Sequence, residues 1–488
     1  MHRKVLRKLF TYMLIFAGIL AMAGCAKWLD VKPYDKIAEE ELLSTEEGYM
    51  KLLNGIYIEL NSDMLYGSSL TVEMLEVMGG AYVVGTDNSV WGNYRDLASY
   101  EYGTPYWRAR MNETWNKAYS LILNCNLLLQ GIDADRGLFA GDNYRMVKGE
   151  ALALRAMLHF DMLRLFGPVY SRNPHQKAIP YYDACTVLPN DLLTASEAAA
   201  MITDDLLEAR ILLANDPVKE TGVLMEPVTD GSSNFMRYRN LRLNFYAVSA
   251  LLARSSLYFG DMESAYAYAM EVIGAGREGV FPFVDRSLVI GSPDDPDRIF
   301  SSEVIFALSH SQRNTLFKDF YDPGRLPNYV FRMDNDVMND VVFGGGSLTG
   351  GSQDDYRYRV NWTATGANRY FYKYSDMMDT GNVRNTMIPM IRLGEMYLIA
   401  AESQSEDIAA GTAYVNALRA NRGVGNVQEL TREILQYEYI RELYGEGQLF
   451  YMYKRMFAPV LFSTKPSANP QPSDRMFVVP LPDSETEN

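Results

Sequence analysis

The chain has 488 residues, 48% of them hydrophobic, with 46 basic and 61 acidic side chains and a formal net charge of −15. That is ample apolar material for a large core, and the acidic excess repels phosphate backbones, which excludes nucleic acid as a partner. With three cysteines in all, no disulfide framework supports the fold, and Cys125 and Cys185 read as two separate buried thiols, with one bridge between them in an oxidising envelope as the alternative.

The sequence opens "MHRKVLRKLF", cationic and free of acids, then runs nearly all apolar from Phe10 to Gly24. At roughly 15 residues this run is too short to span a bilayer and fits a signal-peptide core. It closes on Met22-Ala23-Gly24-Cys25. Small residues before a cysteine make the pattern of a bacterial lipobox, with Met22 where Leu is more usual. The expectation is a leader over 1–24, a diacylglycerol on the Cys25 sulfur, and a mature chain over 25–488 held to a membrane by lipid alone.

Helical periodicity dominates the mature chain. Ser44-Thr45-Glu46-Glu47 reads as a capping box before a stripe of Tyr49, Leu52, Leu53, Ile56, Tyr57 and Leu60. A second helix is predicted over about Asn112 to Gln130, and a third over Tyr144 to Phe166, stopped by Gly167-Pro168. A fourth starts from the capping box Thr194 to Glu197. Two later segments repeat one plan of helix, turn, helix. They are "LRLNFYAVSALLARSSLYFGD" with "MESAYAYAMEVIGAG", and "MIPMIRLGEMYLIAAESQSED" with "IAAGTAYVNALRANRGV". Alanine-rich faces let such helices approach closely, and the spacing resembles tetratricopeptide pairs. The expected fold is mainly α, a single-body scaffold of tetratricopeptide-like helix pairs. Long irregular insertions at about 61–111, 169–193 and 276–384 interrupt it. Loops this long inside a domain are usually functional, so they are expected to hold the specificity.

Blocks along the whole mature chain then resemble one family in order: "WLDVKP", "LLNGIYIEL", "WNKAYSLILNCNLLL", "GEALALRAMLHFDMLRLFGPV", "TASEAAAMITDDLLEA", "EVIFAL", "IRLGEMYLIAAES", "VNALRANRG", "RELYGEGQLFYMYKR" and "VPLPDSETEN". The chain is similar to the SusD/RagB family, the starch-utilization type of outer-membrane nutrient-binding lipoproteins of Bacteroidetes. It departs from the family pattern at Tyr439 and Ile440, where paired arginines are common, with Arg441 able to take over part of that pairing. Leu449 and Met452 stand where Arg and Asp are usual. The resemblance implies a protein on the outer membrane, facing the cell exterior, that binds oligosaccharide and delivers it to a TonB-dependent SusC-like transporter. It implies no catalysis and no cofactor. A RagB-like peptide binder and a helical scaffold without a small ligand are the alternatives.

Enzyme signatures are missing from the sequence. There is no HExxH, no GxSxG elbow and no phosphate loop, since "FGGGSLTGGSQDD" lacks the closing Lys-Ser/Thr. Asp294-Asp295-Pro296-Asp297 and Asp354-Asp355 read as solvated surface charge, and "DNDVMND" lacks the Gly and terminal Glu of a calcium loop. No metal site is expected. A sugar site needs aromatic faces for the pyranose C–H surface beside planar hydrogen-bonding groups for its hydroxyls. Two stretches supply both. The first offers Trp91, Asn93, Tyr94, Tyr106 and Trp107, and the second Arg359, Asn361, Trp362, Tyr370 and Tyr372.

Overall fold

The structure, a computed structural model, describes residues 42–84, 92–186, 188–229, 234–326, 329–344, 349–366, 368–379, 381–460 and 471–486. The leader, Cys25 and Trp91 lie outside these residues. The chain divides into units 1–49 and 50–488. In the first, the Thr45 hydroxyl accepts the Gly48 N–H at 3.1 Å, so the cap of helix α1 (Glu46–Glu59) falls on Thr45.

In the second unit, seven long helices stack in chain order: α2 (Pro105–Ile132), α3 (Asn143–Phe166), α4 (Ala195–Leu212), α5 (Phe245–Phe259), α6 (Met262–Arg277), α7 (Leu393–Ser403) and α8 (Ile408–Ala420). Each packs on the next, and α7 packs on α6 although more than a hundred residues separate them in sequence. Small residues set the spacing. A side chain at Gly276 would meet the Leu393 methyls at 2.9 Å, so bare backbone fixes how closely α6 and α7 approach. The starts are capped by side chains: Thr194 with Glu197 in a full capping box, and Asn244, Asp261 and Asp407 by single bonds. Helix α2 begins earlier than periodicity indicates because Pro105, with its fixed φ and missing N–H, suits the first turn. Cys125 and Cys185 do not form a disulfide with each other; Cys125 is buried as expected, whereas Cys185, on the loop after α3, is only half-buried.

Two closing helices, α9 (Arg432–Leu443) and α10 (Leu449–Met456), are buried despite their charge. Glu438 pairs with Arg357 at 2.9 Å and Arg441 at 3.0 Å, and Glu442 with Arg392 at 2.6 Å and Arg422 at 2.7 Å. Burial alone would raise the Glu438 carboxyl, yet Arg357, Arg441 and Arg419 hold it down at about 2. Lys454 on α10 reaches the end of α3, where its Nζ donates to the carbonyls of Arg164 and Gly167, both at 2.7 Å, and of Leu165 at 3.3 Å. It answers carbonyls that every helix C-terminus leaves open.

Between α6 and α7 run the strands β1 (Val304–Ser309), β2 (Met333–Asp334), β3 (Trp362–Thr365), β4 (Asn368–Phe371) and β5 (Met387–Arg392). β1 pairs antiparallel with β5, and β2, β4 and β3 form a three-stranded sheet in that order. β1 ends at Ser309 beside the turn that closes α1, where the Asn61 amide donates to the Ser309 carbonyl at 3.1 Å.

Candidate functional site

That junction opens a cleft of about 890 Å³, within the range of ligand pockets. One wall is the turn after α1 with Asn61, Ser62 and Asp63, backed by Glu73 and by Arg110 of α2. The other is the segment after β1, with His310, Gln312, Thr315, Asp319 and Phe320. These residues come from distant parts of the chain, and polar ties hold them in place. Arg110 donates to the Asp63 carbonyl at 3.0 Å, the Ser68 hydroxyl at 3.3 Å and Glu73 at 2.9 Å. Glu73 also accepts from Ser68 at 2.8 Å and Tyr94 at 2.7 Å. Across the cleft, buried Arg313 donates to the Arg384 carbonyl at 2.9 Å, pinning the start of the helix Asn314–Phe320.

The arrangement is suited to hydrogen-bonding a polyhydroxylated molecule. Asp63 and Asp319 are exposed carboxylate acceptors, and Gln312 is an exposed amide that both donates and accepts. His310 is half-buried, and burial lowers its pKa, so the ring is neutral at physiological pH. Its Nδ1 accepts the Gln312 N–H at 3.1 Å, which leaves the proton on Nε2 as a donor. Phe320 provides an apolar edge. Tyr106, 38% exposed, stands one turn before Arg110 on the same face of α2. Among the described residues, no cluster of His, Cys, Asp and Glu is arranged to hold a metal ion.

The two ring-rich stretches meet, but chiefly in the interior behind this cleft. Trp107 is fully buried and donates its Nε1–H to the Asn93 carbonyl at 2.7 Å. Its ring lies 5.4 Å from Tyr94, Tyr94 lies 5.1 Å from Phe331, and Phe331 stacks on Tyr82 at 4.3 Å. From Tyr82 the chain of rings passes through Tyr321 and Phe371 to Trp362. Phe320 stacks on Phe331 as well, so the edge of the cleft rests on this aromatic wall. Trp362, Asn361, Tyr370 and Tyr94 are buried, Asn93 and Tyr372 half-buried, and Tyr106 and Arg359 exposed. Exposed platforms were expected of the tryptophans; Trp107 and Trp362 turn inward because neighbouring rings offer them more apolar contact than water does. Tyr372 sits 5.0 Å from Phe317, on the helix that lines the cleft, whereas Arg359 is not among the residues that line it.

Nothing local in the sequence marked Asp63, His310, Gln312 or Asp319. The available signal was positional, since they follow the end of an amphipathic helix and of a buried strand.

A family model described as starch-binding and associating with outer membrane matches residues 27–227, and a SusD family model matches residues 303–474. The chain is 24% identical over 153 residues to the SusD-like protein P2 of Formosa agariphila; the match takes in 31% of this chain and 28% of that relative's length. Among solved structures, a putative sugar binding protein of Bacteroides vulgatus superposes with a TM-score of 0.68 at 21% identity, covering 91% of this chain and 96% of that one. A SusD-like carbohydrate binding protein of the same organism gives 0.67 at 18% identity, with the same coverage. A SusD superfamily protein of Bacteroides thetaiotaomicron gives 0.65 at 19% identity, over 91% and 98% of the two chains. At these identities the likeness concerns the fold.

Proposed function

The chain belongs to the SusD/RagB family, and on that premise we propose that it binds oligosaccharide in the cleft between the end of α1 and the segment after β1. The observation that carries this reading is the cleft's inventory, with planar or paired hydrogen-bonding groups at Asp63, His310, Gln312 and Asp319 beside the ring of Phe320; Tyr106, exposed one turn before Arg110 on α2, adds a further ring outside the lining itself. Sugar hydroxyls pair with the first set and the C–H face of a pyranose rests on the second. Tyr372, beside Phe317, extends the same role to the edge of the cleft, and for Arg359 and Trp91 a part in ligand contact rests on the sequence alone. Trp107, Tyr94, Asn93, Asn361, Trp362 and Tyr370 support the cleft from behind. Binding alone is assigned to the site, with no chemical step.

Cys25 is the proposed attachment point for lipid, which would hold the protein on the outer face of the outer membrane. There it would pass its ligand to a TonB-dependent transporter of the SusC type. The family model's association with outer membrane supports this location, as does the lack of any described helix long and apolar enough to cross a membrane.

Calorimetric titration of the purified protein with a panel of neutral oligosaccharides and short peptides tests the reading. At least one oligosaccharide should bind, and Gln312→Ala and Tyr106→Ala should each weaken it about tenfold, a loss of roughly 1.4 kcal/mol. Binding of peptides alone, or sugar binding that both variants leave unchanged, would remove the site from this cleft.

A further inference from the structure

The cleft does not stop at Ile58. A second cavity of about 350 Å³ opens on its far side, and Ile58 and Ser309 line both. Ile58 is 67% exposed, so an aliphatic ridge stands between two polar halves of one groove. An exposed isoleucine at such a point offers an apolar face to whatever crosses it.

The halves differ in charge. The first carries Asp63, Glu73 and Asp319 against a single Arg110. The second carries Arg237 and Arg242, with no carboxylate among its described lining residues. Arg242 is held firmly: its Nε donates to Glu150 at 2.8 Å and its Nη1 to Asn54 at 2.7 Å. Its guanidinium lies 4.8 Å from the centre of the Tyr57 ring and 4.5 Å from that of Phe235. Its Nη2 is buried and has no hydrogen-bond partner among the described residues, so Arg242 contributes charge to the cavity and the guanidinium of Arg237 is the one left to contact a ligand. Glu150 offsets the Arg242 charge from beneath. Arg237 is tied only through a backbone carbonyl, that of Glu226, and no described carboxylate forms an ion pair with it. The second half is therefore net positive in a protein that is net negative overall.

Resting on the oligosaccharide-binding reading, we propose that the second cavity is a subsite for an acidic sugar unit bearing a carboxylate or a sulfate ester. The preferred ligand is then an oligosaccharide long enough to cross Ile58, with its acidic unit on the arginine side. Guanidinium groups pair two N–H donors with two anionic oxygens, a geometry that neutral hydroxyls do not match. The acidic half of the groove repels the same unit, so the ligand's direction in the groove is fixed by charge.

The test compares an oligogalacturonate with the same oligosaccharide after carboxyl reduction, and a sulfated galactan oligosaccharide as a third arm, by calorimetry on the intact protein. An acidic oligosaccharide should bind about tenfold more tightly than the reduced one, and the gap should narrow at high salt. Whichever of the carboxylate and sulfate arms binds tighter identifies the acid. Arg237→Gln, on a side chain with no ion-pair partner among the described residues, should remove most of the preference, so that the acidic and reduced forms bind with about equal affinity. Arg242→Gln should do the same if the fold, checked by circular dichroism, is retained. Equal affinity for the acidic and reduced forms, or a preference that Arg237→Gln leaves intact, would overturn the subsite alone. Failure of every oligosaccharide to bind folded protein, or tighter binding of an acidic peptide, would overturn the oligosaccharide reading with it.

Discussion

Glu76 offers a sharp test of how the interior is balanced. It is fully buried on the short helix Met74–Met78, and one carboxylate oxygen accepts the Gly447 N–H at 2.9 Å while the other has no partner among the described residues. Around it stand the hydroxyls of Tyr82, Tyr321, Tyr374 and Tyr444, the carboxylate of Glu446 and the ammonium of Lys373. Burial raises its pKa from 4.5 to about 8, with the Gly445 and Gly447 amides opposing and Glu446 adding to the rise. The group is thus protonated in the folded protein at neutral pH and ionised in the unfolded chain. Its contribution to stability is full below pH 4.5 and falls by about 1.4 kcal/mol per pH unit as pH rises toward 8. The whole span comes to something on the order of 5 kcal/mol.

Glu76→Gln removes this linkage while keeping an acceptor for Gly447. Urea unfolding of both proteins should show the variant gaining on the parent by about 2 kcal/mol between about pH 6 and pH 8, the slope flattening as Glu76 reaches its folded midpoint. Lys373, lowered to about 8 by burial, contributes an opposite slope above that window, which is why the comparison stops there and is made as a difference between two proteins. A variant-minus-parent difference that stays constant across that window would refute the reasoning, because Glu76 would then be ionised, or equally accommodated, in both states.

Single contacts set the other expectations. Lys454→Met should lower the urea midpoint by the equivalent of about 2–3 kcal/mol, since it strands the carbonyls of Arg164, Leu165 and Gly167 in the interior. Gly447→Ala should be at least as damaging: Gly447 has φ +69°, and a Cβ there would drive into the Leu70 carbonyl. Trp107→Ala should cost about 3–5 kcal/mol of stability, whereas Tyr106→Ala should leave the melting temperature nearly unchanged while weakening the ligand. That contrast separates the ring that builds the wall from the ring that stands at the cleft.

The scaffold was legible because helices that bury one face repeat their apolar residues at a period the eye can follow, as in α4 and in the pairs α5–α6 and α7–α8. Caps were legible too, since Thr194 and Glu197 have to stand three apart to bond each other's backbone. Helix α9 hid its environment. "REILQYEYIREL" is rich in charge, yet Glu438 and Glu442 are buried against arginines from other segments, and pairing at that distance leaves no local pattern. The departure at Tyr439 and Ile440 is accommodated in the same way, as Arg441 pairs with Glu438 and donates to the carbonyls of Val342 and Thr349, both at 2.7 Å. The ring-rich stretches were visible as a cluster, but their inward orientation was not, because it depends on Phe331 and Tyr82 arriving from elsewhere. The cleft residues carry no periodicity at all.

The contact of α6 with α7 has a further consequence. Closing a loop costs only about 0.6 kcal/mol more for each doubling of its length, so the contact of α6 with α7 tolerates changes in the length of the intervening hundred-odd residues. The frame grips that excursion at fixed points, since Arg357 and Arg392 within it are the buried partners of Glu438 and Glu442 on α9. Between those anchors, the exposed turns that form one wall of the cleft are the part selection can lengthen, shorten or rewrite without unseating the frame.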